Sequence, residues 1–198
     1  MALPHLAVTL ATANAPTRTA LAGVIGGAGG PGSVTLLEPL TKERDPNVVT
    51  AATLALGRTR SSEALPILLA QLDGDDEWVK FATIGALGEL GDSRAVDRLA
   101  ELLDLPLLRE TAIAALAEIG TVAAARALGQ RLMSTDRSEI STDMLTALLS
   151  VVASSRNQPA QIAEAINEVA RQAVGEPCRR PLLEALMKLL PDGDTAQI

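Results

Sequence analysis

The chain has 198 residues, 47% of them hydrophobic, with one Phe, one Trp, no Tyr and a formal net charge of −7. An interior built from Ala, Leu, Val and Ile favours helices over strands, and an acidic surface without aromatic stacking platforms argues against nucleic acid as a partner. A single cysteine, Cys178, excludes an internal disulfide framework and a cysteine-rich zinc site and fits a reducing cytoplasm; no metal or other cofactor is implied.

From the start of the chain, Leu3, Leu6, Ala7 and Leu10 follow the 0, 3, 4, 7 spacing of one helix face. Pro4 and His5 interrupt the basic start and the apolar run that a signal peptide needs. The uncharged run 19–37 is long enough for a membrane span, but Gly23, Gly26, Gly27, Gly29, Gly30, Gly32 and Pro31 interrupt it. It reads instead as a helix capped by Asn14, a turn and a second helix, and no membrane partner is expected. GGAGGPG (26–32) lacks the Lys-Ser/Thr of a phosphate-binding loop and aligns with the inter-helix turn of later units. Over 34–41 the apolar face is looser, because Glu38 and Thr41 occupy apolar slots and Leu40 compensates.

Asp45 then opens a helix as N-cap, with Pro46 at the first helical position and Val48, Ala51, Ala55 and Leu56 on one face. Ser61 caps the next helix, whose face is Leu65, Leu68, Leu69 and Leu72. Asp76 caps another, facing inward with Val79, Ala82, Ala86 and Leu87. Gly91 stops it, and Asp92 starts the helix of Val96, Leu99, Ala100 and Leu103. A further pair carries Leu108, Ala115 and Leu116, stops at Gly120, and restarts at Thr121 with Ala125, Leu128, Gly129 and Leu132. Gly29, Gly91 and Gly120 mark left-handed helix ends, and Arg60 breaks that column. Beyond about residue 133 come a polar connection, helices over 144–155, 159–174 and 179–190, and a frayed tail.

These elements repeat. Asp45, Val48, Ala51, Ala55, Leu56 and Gly57 each lie 31 residues before Asp76, Val79, Ala82, Ala86, Leu87 and Gly88. A shift of 29 carries Val79, Ala86, Leu87 and Gly91 onto Leu108, Ala115, Leu116 and Gly120, and a shift back of 31 finds Asn14, Ala20, Ile25 and Gly26. One pair of helices cannot bury its apolar face alone, so such units must stack. Small residues at Ala51, Ala55, Ala82, Ala86 and Ala115 permit close helix approach, which accounts for the scarcity of aromatic residues.

The pattern D-x-x-V-[R/K]-x-x-A-x-x-A-L-G, followed by [E/D]-[S/P]-x-A-[V/L]-x-x-L, resembles a HEAT repeat, and more narrowly the short bacterial kind of phycobilisome lyases. The resemblance implies an all-α fold, an α-solenoid of about five stacked antiparallel helix pairs, over one domain of residues 1–198. Regular repeats occupy about 14–132, and a degenerate repeat with a C-terminal cap about 133–190. In that family an Arg after the Val ties neighbouring units together. Here the column reads Arg18, Val49, Lys80, Arg109, so the basic ladder is interrupted at Val49.

Catalytic chemistry finds little support. His5 has no second His for a metal site, Cys178 beside Arg179 and Arg180 has no His partner, and LDGDDE (72–77) lacks the ligand spacing of a calcium loop. The acids serve as turn residues and caps. Second helices line the concave face of HEAT-like arrays, which makes their outward columns the expected binding surface. One column reads His5, Leu36, Ile67, Arg98, Ala127; the next reads Val8, Pro39, Ala70, Glu101, Gln130. Trp78, in a variable slot held by Asn47 one unit earlier, is either a binding hot spot or a cover for the groove between repeats.

The expected protein-binding residues are thus Trp78, Ile67, Arg98, Glu101 and Gln130, in a non-catalytic interaction scaffold of a bacterial cytoplasm with another protein as partner. The apolar face at Leu3, Leu6 and Leu10 is a candidate homodimer contact. The repeat type also implies an alternative from another class, a lyase-like or chaperone-like factor handling a bilin on a phycobiliprotein.

Overall fold

The structure, a computed structural model, describes residues 3–134 together with Val151 and Gln161, both helical. Apart from those two positions, the polar connection, the three helices and the tail expected after residue 134, and Cys178, lie outside the described residues. Among the described residues there are α-helices and 3-10 turns and no strand. The chain divides into two compact units, Met1–Ala95 and Val96–Ile198.

The first unit holds α1 (Leu3–Thr12), α2 (Ala15–Ala28), α3 (Ser33–Leu37), α4 (Pro46–Arg58), α5 (Leu65–Gln71) and α6 (Glu77–Leu90). Within it α4 packs against α2 on one side and α6 on the other, and α5 packs on α6. The second unit holds α7 (Val96–Glu101), α8 (Arg109–Ile119) and α9 (Val122–Ser134), with α8 against α7 and α9. The glycine-containing run 19–37 is helix, turn and helix, as its interruptions require. Gly26 and Gly27, however, belong to α2, and only Gly29–Gly32 form the turn. After α3 the chain tightens into a 3-10 turn over Glu38–Lys42, where Leu40 is buried and the Thr41 hydroxyl donates to Glu38 O at 2.8 Å.

Every expected cap is made. Asn14 Oδ1 accepts from Thr17 N at 3.0 Å, Asp45 Oδ1 from Asn47 N at 2.9 Å, and Asp76 Oδ1 from Trp78 N at 2.9 Å and Val79 N at 3.2 Å. Before the second helices, Ser61 accepts from Glu63 N at 3.4 Å, Asp92 from Arg94 N at 3.0 Å and Thr121 from Ala124 N at 3.3 Å. Each satisfies an amide that the helix itself leaves free. The Arg94 side chain also donates to both Asp92 oxygens, and this holds the Asp92 carboxyl below its ordinary range.

The expected left-handed column is kept in part: Gly29 has φ 59° but ψ −162°, outside the left-handed helical region, whereas later units keep it even where the glycine is missing. Gly91 has φ 73° and Gly120 φ 62°, and Arg60 takes φ 50° in their place. A side chain in that region meets the following carbonyl at a cost of about 1–2 kcal/mol. Arg60→Gly is therefore expected to raise stability by about 1 kcal/mol, measured as a higher denaturation midpoint at unchanged slope.

Helix α8 departs from the first helices of the earlier repeats. Leu105 stands where the shift of 29 would place Asp76's cap, and a leucine side chain has no atom to accept an amide hydrogen bond. The chain instead turns through Leu108 N to Leu105 O at 3.1 Å and Arg109 N to Leu105 O at 2.9 Å, so α8 begins only at Arg109. Leu108 remains buried, as its place in the repeat demands, although it precedes the helix.

The core follows the repeat but is wider than one stripe. Val48, Ala55, Leu56, Ala86, Leu87, Ala115 and Leu116 are buried as expected, whereas Ala51, Val79 and Ala82 are only half-buried. Ala52, Thr53, Thr83, Ile84, Ala112 and Ile113 are buried as well. In α4 the reason is visible, because a helix with a neighbour on each side buries two faces. The two threonine hydroxyls in this set are satisfied: Thr53 Oγ1 lies 2.8 Å from Val49 O and 3.0 Å from Gln71 Oε1, and Thr83 Oγ1 donates to Val79 O at 2.7 Å. In the second helices Leu65, Leu68 and Leu72, then Val96, Leu99 and Leu103, are buried, and Leu69 and Ala100 are half-buried.

The basic column ties helices together where it holds arginine. Arg18 on α2 donates from Nε to Leu10 O at 2.9 Å and from Nη2 to Ala11 O at 3.4 Å, while Nη1 reaches both Glu43 oxygens at 2.9 Å. Arg109 repeats the first contact, Nε to Leu103 O at 2.9 Å, and Leu103 stands at the repeat position of Leu10. At the two other positions Val49 is buried and Lys80 pairs with Glu77 at 3.5 Å.

Candidate functional site

Trp78 lies in the first turn of α6, and Asp76 fixes that turn by accepting its backbone amide. The side chain is 79% exposed, more than any other large hydrophobic residue among those described. One aromatic contact restrains it. Phe81, three residues on and half-buried, lies with its ring centroid 6.3 Å away at a tilt of 50°. The two aromatic residues of the chain therefore stand together on one helix, Trp78 exposed and Phe81 half-buried.

The outward columns of the second helices are placed as their spacing requires. His5, Val8, Pro39, Ala70, Glu101 and Gln130 are exposed, whereas Leu36, Ile67, Arg98 and Ala127 are half-buried. Ile67 on α5 thus presents only part of its side chain. On α7 the structure brings Arg98 and Glu101 together, Arg98 Nη1 donating to Glu101 Oε2, so the arginine charge is compensated in place. Gln130 is exposed on α9. Of the residues singled out in the sequence, Arg98 and Glu101 meet each other, and Trp78 meets Phe81, which that reading passed over.

The second unit adds exposed leucines that sequence reasoning missed. Leu105 and Leu107 are 48% and 62% exposed in the turn before α8. A signal for Leu107 was available: Pro16, Asn47, Trp78 and Leu107 form one repeat column, and all four are exposed. Val8 and Val24 are also largely exposed.

Among the described residues no group of three or more His, Cys, Asp or Glu side chains could hold a metal ion, and no helix is long and apolar enough to cross a membrane. Every buried side-chain nitrogen or oxygen among them has a hydrogen-bond partner. The exposed groups can supply apolar, aromatic and ionic contacts to another molecule.

Comparisons with solved structures place the fold. The chain is similar to a structure from Nostoc sp. PCC7120, the complex of CpcE and CpcF of phycocyanin lyase, at 17% identity and TM-score 0.52, covering 94% of this chain and 93% of that one. It is similar to a designed armadillo repeat protein at 16% identity and TM-score 0.57, covering 96% and 100%. It is also similar to human deoxyhypusine hydroxylase in complex with glycerol, at 17% identity and TM-score 0.50, covering 94% and 95%. At these identities the likeness speaks for an α-solenoid fold and no further. No curated protein sequence matches the chain. The family model of HEAT repeats matches residues 3–83 and 68–149, more than half of the sequence and across the repeats described above, and the chain belongs to the HEAT-repeat family.

Proposed function

We propose that this protein is a non-catalytic interaction scaffold whose partner is another protein, bound through Trp78 and the outward columns of the second helices at Ile67, Arg98, Glu101 and Gln130. The observation that carries the reading is Trp78, an indole left 79% exposed on a capped helix turn in a chain that otherwise avoids aromatic residues. Large aromatic side chains concentrate binding energy at protein interfaces, and covering one with a partner contributes about 1.5–3 kcal/mol. The outward columns supply small, apolar and polar groups around which a partner can pack, and function in such a fold resides in the side chains it presents.

Affinity capture from native lysate tests this reading, with the full chain as bait and Trp78→Ala and Arg98→Glu as variants. Trp78→Ala is expected to weaken the specific partner at least tenfold, in keeping with loss of one buried aromatic anchor. Arg98→Glu, which sets two carboxylates beside each other at position 101, is expected to weaken it less. Full retention of the partner by both variants would show that binding uses another face.

The likeness to the complex of CpcE and CpcF of phycocyanin lyase favours a second reading, a lyase-like or chaperone-like factor acting on a bilin-bearing protein. Mixing the full chain with bilin and recording the visible spectrum separates the two. No spectral change and no transfer to an acceptor protein would remove the lyase reading.

A further inference from the structure

We propose that the Trp78 end of α6 docks a basic segment of the partner protein, an arginine stacked on the indole and a neighbouring basic side chain held by the carboxylates of the preceding turn. The inference rests on the protein-binding reading and specifies the chemistry of the partner. Asp75, Asp76 and Glu77 stand directly before Trp78, and all are exposed. Asp76 uses Oδ1 for the amides of Trp78 and Val79. Lys80 is the one basic residue between Leu72 and Gly91, and it pairs with Glu77 at 3.5 Å. The stretch 75–80 thus sets three carboxylates against one ammonium.

Charge and aromatic surface together select the partner. The face of an indole attracts cations through its quadrupole. Among side-chain cations the planar, weakly hydrated guanidinium stacks best on such a face. The tilted Phe81 ring stands on one side of Trp78 and adds apolar surface for the stem of an approaching side chain. Carboxylates in the residues directly before Trp78 favour a basic segment and disfavour an acidic one, and the net charge of −7 steers basic partners toward the chain from a distance. A purely apolar partner would gain nothing from so acidic a border, and a nucleic acid would be repelled by it.

Trp78 is the sole tryptophan and there is no tyrosine, so the intrinsic emission of the full chain reports directly on this site. The probe is a blocked hexapeptide alternating arginine and leucine, with its lysine–leucine and glutamate–leucine counterparts. The arginine peptide is expected to change the emission saturably, the lysine peptide to bind more weakly, and the glutamate peptide to give no response. Added salt should weaken the arginine peptide, since the charges involved are exposed. The double variant Asp75→Asn/Glu77→Gln leaves the Asp76 cap in place and is expected to reduce affinity for the arginine peptide at least tenfold, with its helical circular dichroism unchanged. Three results would each overturn the proposal: no saturable response to the arginine peptide at millimolar concentration, an equal response to the glutamate peptide, or undiminished binding by the double variant. If Trp78→Ala loses a captured partner while the arginine peptide gives no response, protein binding stands and only the basic character of the partner is overturned.

Discussion

Gly57→Ala is expected to destabilise the first unit by about 3 kcal/mol, the upper end of the usual cost of overpacking. A Cβ built on Gly57 would lie 2.5 Å from Ala86 O, 2.8 Å from Ala86 Cα and 3.0 Å from Ala86 C. All three are backbone atoms of α6, so no side-chain rotation relieves the overlap, and α4 and α6 must move apart. A Cβ built on Gly26 would likewise lie 2.7 Å from the Cα, Cβ and O of Ala55, one repeat earlier, where α2 lies on α4. The neighbouring Gly27 supplies the control. It is helical and exposed, and a Cβ there would meet nothing within 4 Å, so Gly27→Ala is expected to stabilise by about 0.5–1 kcal/mol through helix propensity alone. Chemical denaturation of both variants reads the difference. Equal stability of Gly57→Ala and the parent chain would show that the two helices can part without loss.

This contact shows both what the sequence could say and where it stopped. Leu56-Gly57 aligning with Leu87-Gly88 identified Gly57 as a repeat position, and the alanines at 55 and 86 announced close helix approach. Alignment alone did not pair Gly57 with Ala86 across the α4–α6 contact, because that pairing depends on which faces of neighbouring helices meet. The same limit explains the core. A 0, 3, 4, 7 pattern describes a helix covered on one side. A first helix in a stacked array has neighbours on both sides, which is why Ala52 and Thr53 are buried beyond the stripe. Caps were fully legible, since an N-cap is a local arrangement of one side chain and the amides two or three residues on. The late start of α8 was legible only in part: Leu105 in the cap position was the warning, and the buried Leu108 concealed it.

For the candidate site, the unusual residue was visible and its setting was not. Trp78 stood out as an aromatic in a variable slot, but its exposure required the structure. Its partner Phe81 was passed over because its position reads as ordinary helix surface or core on periodicity alone. The Arg98–Glu101 pair lies at helical spacing and was available to sequence reasoning, yet the two residues entered as members of separate columns. Columns read along the array show what repeats. They do not show which side chains of one helix neutralise each other.

The second large effect is expected at Arg18, and it is expected to exceed the effect of removing Arg109 from the same repeat column. Arg18 holds two carbonyls near the end of α1, Leu10 O and Ala11 O, and both oxygens of Glu43. Both members of the ion pair are about three-quarters buried, with side-chain exposures of 26% and 24%, so water replaces the lost contacts poorly. Among the described side chains of α1 only Leu10 is buried, which leaves Arg18 a large share of that helix's docking. Arg18→Met keeps the apolar stem and removes the donors, and it should cost about 2–3 kcal/mol. Arg109→Met should cost about 1 kcal/mol, because Arg131 Nε also approaches Leu103 O at 3.3 Å and can keep that carbonyl satisfied. Repeat arrays open unit by unit, so the sharper measurement is amide hydrogen exchange. In Arg18→Met the amides of α1 should lose protection while those of α4 and α6 keep it. Equal protection of α1 in the variant and the parent would show that Leu10 and the backbone hold that helix without the arginine.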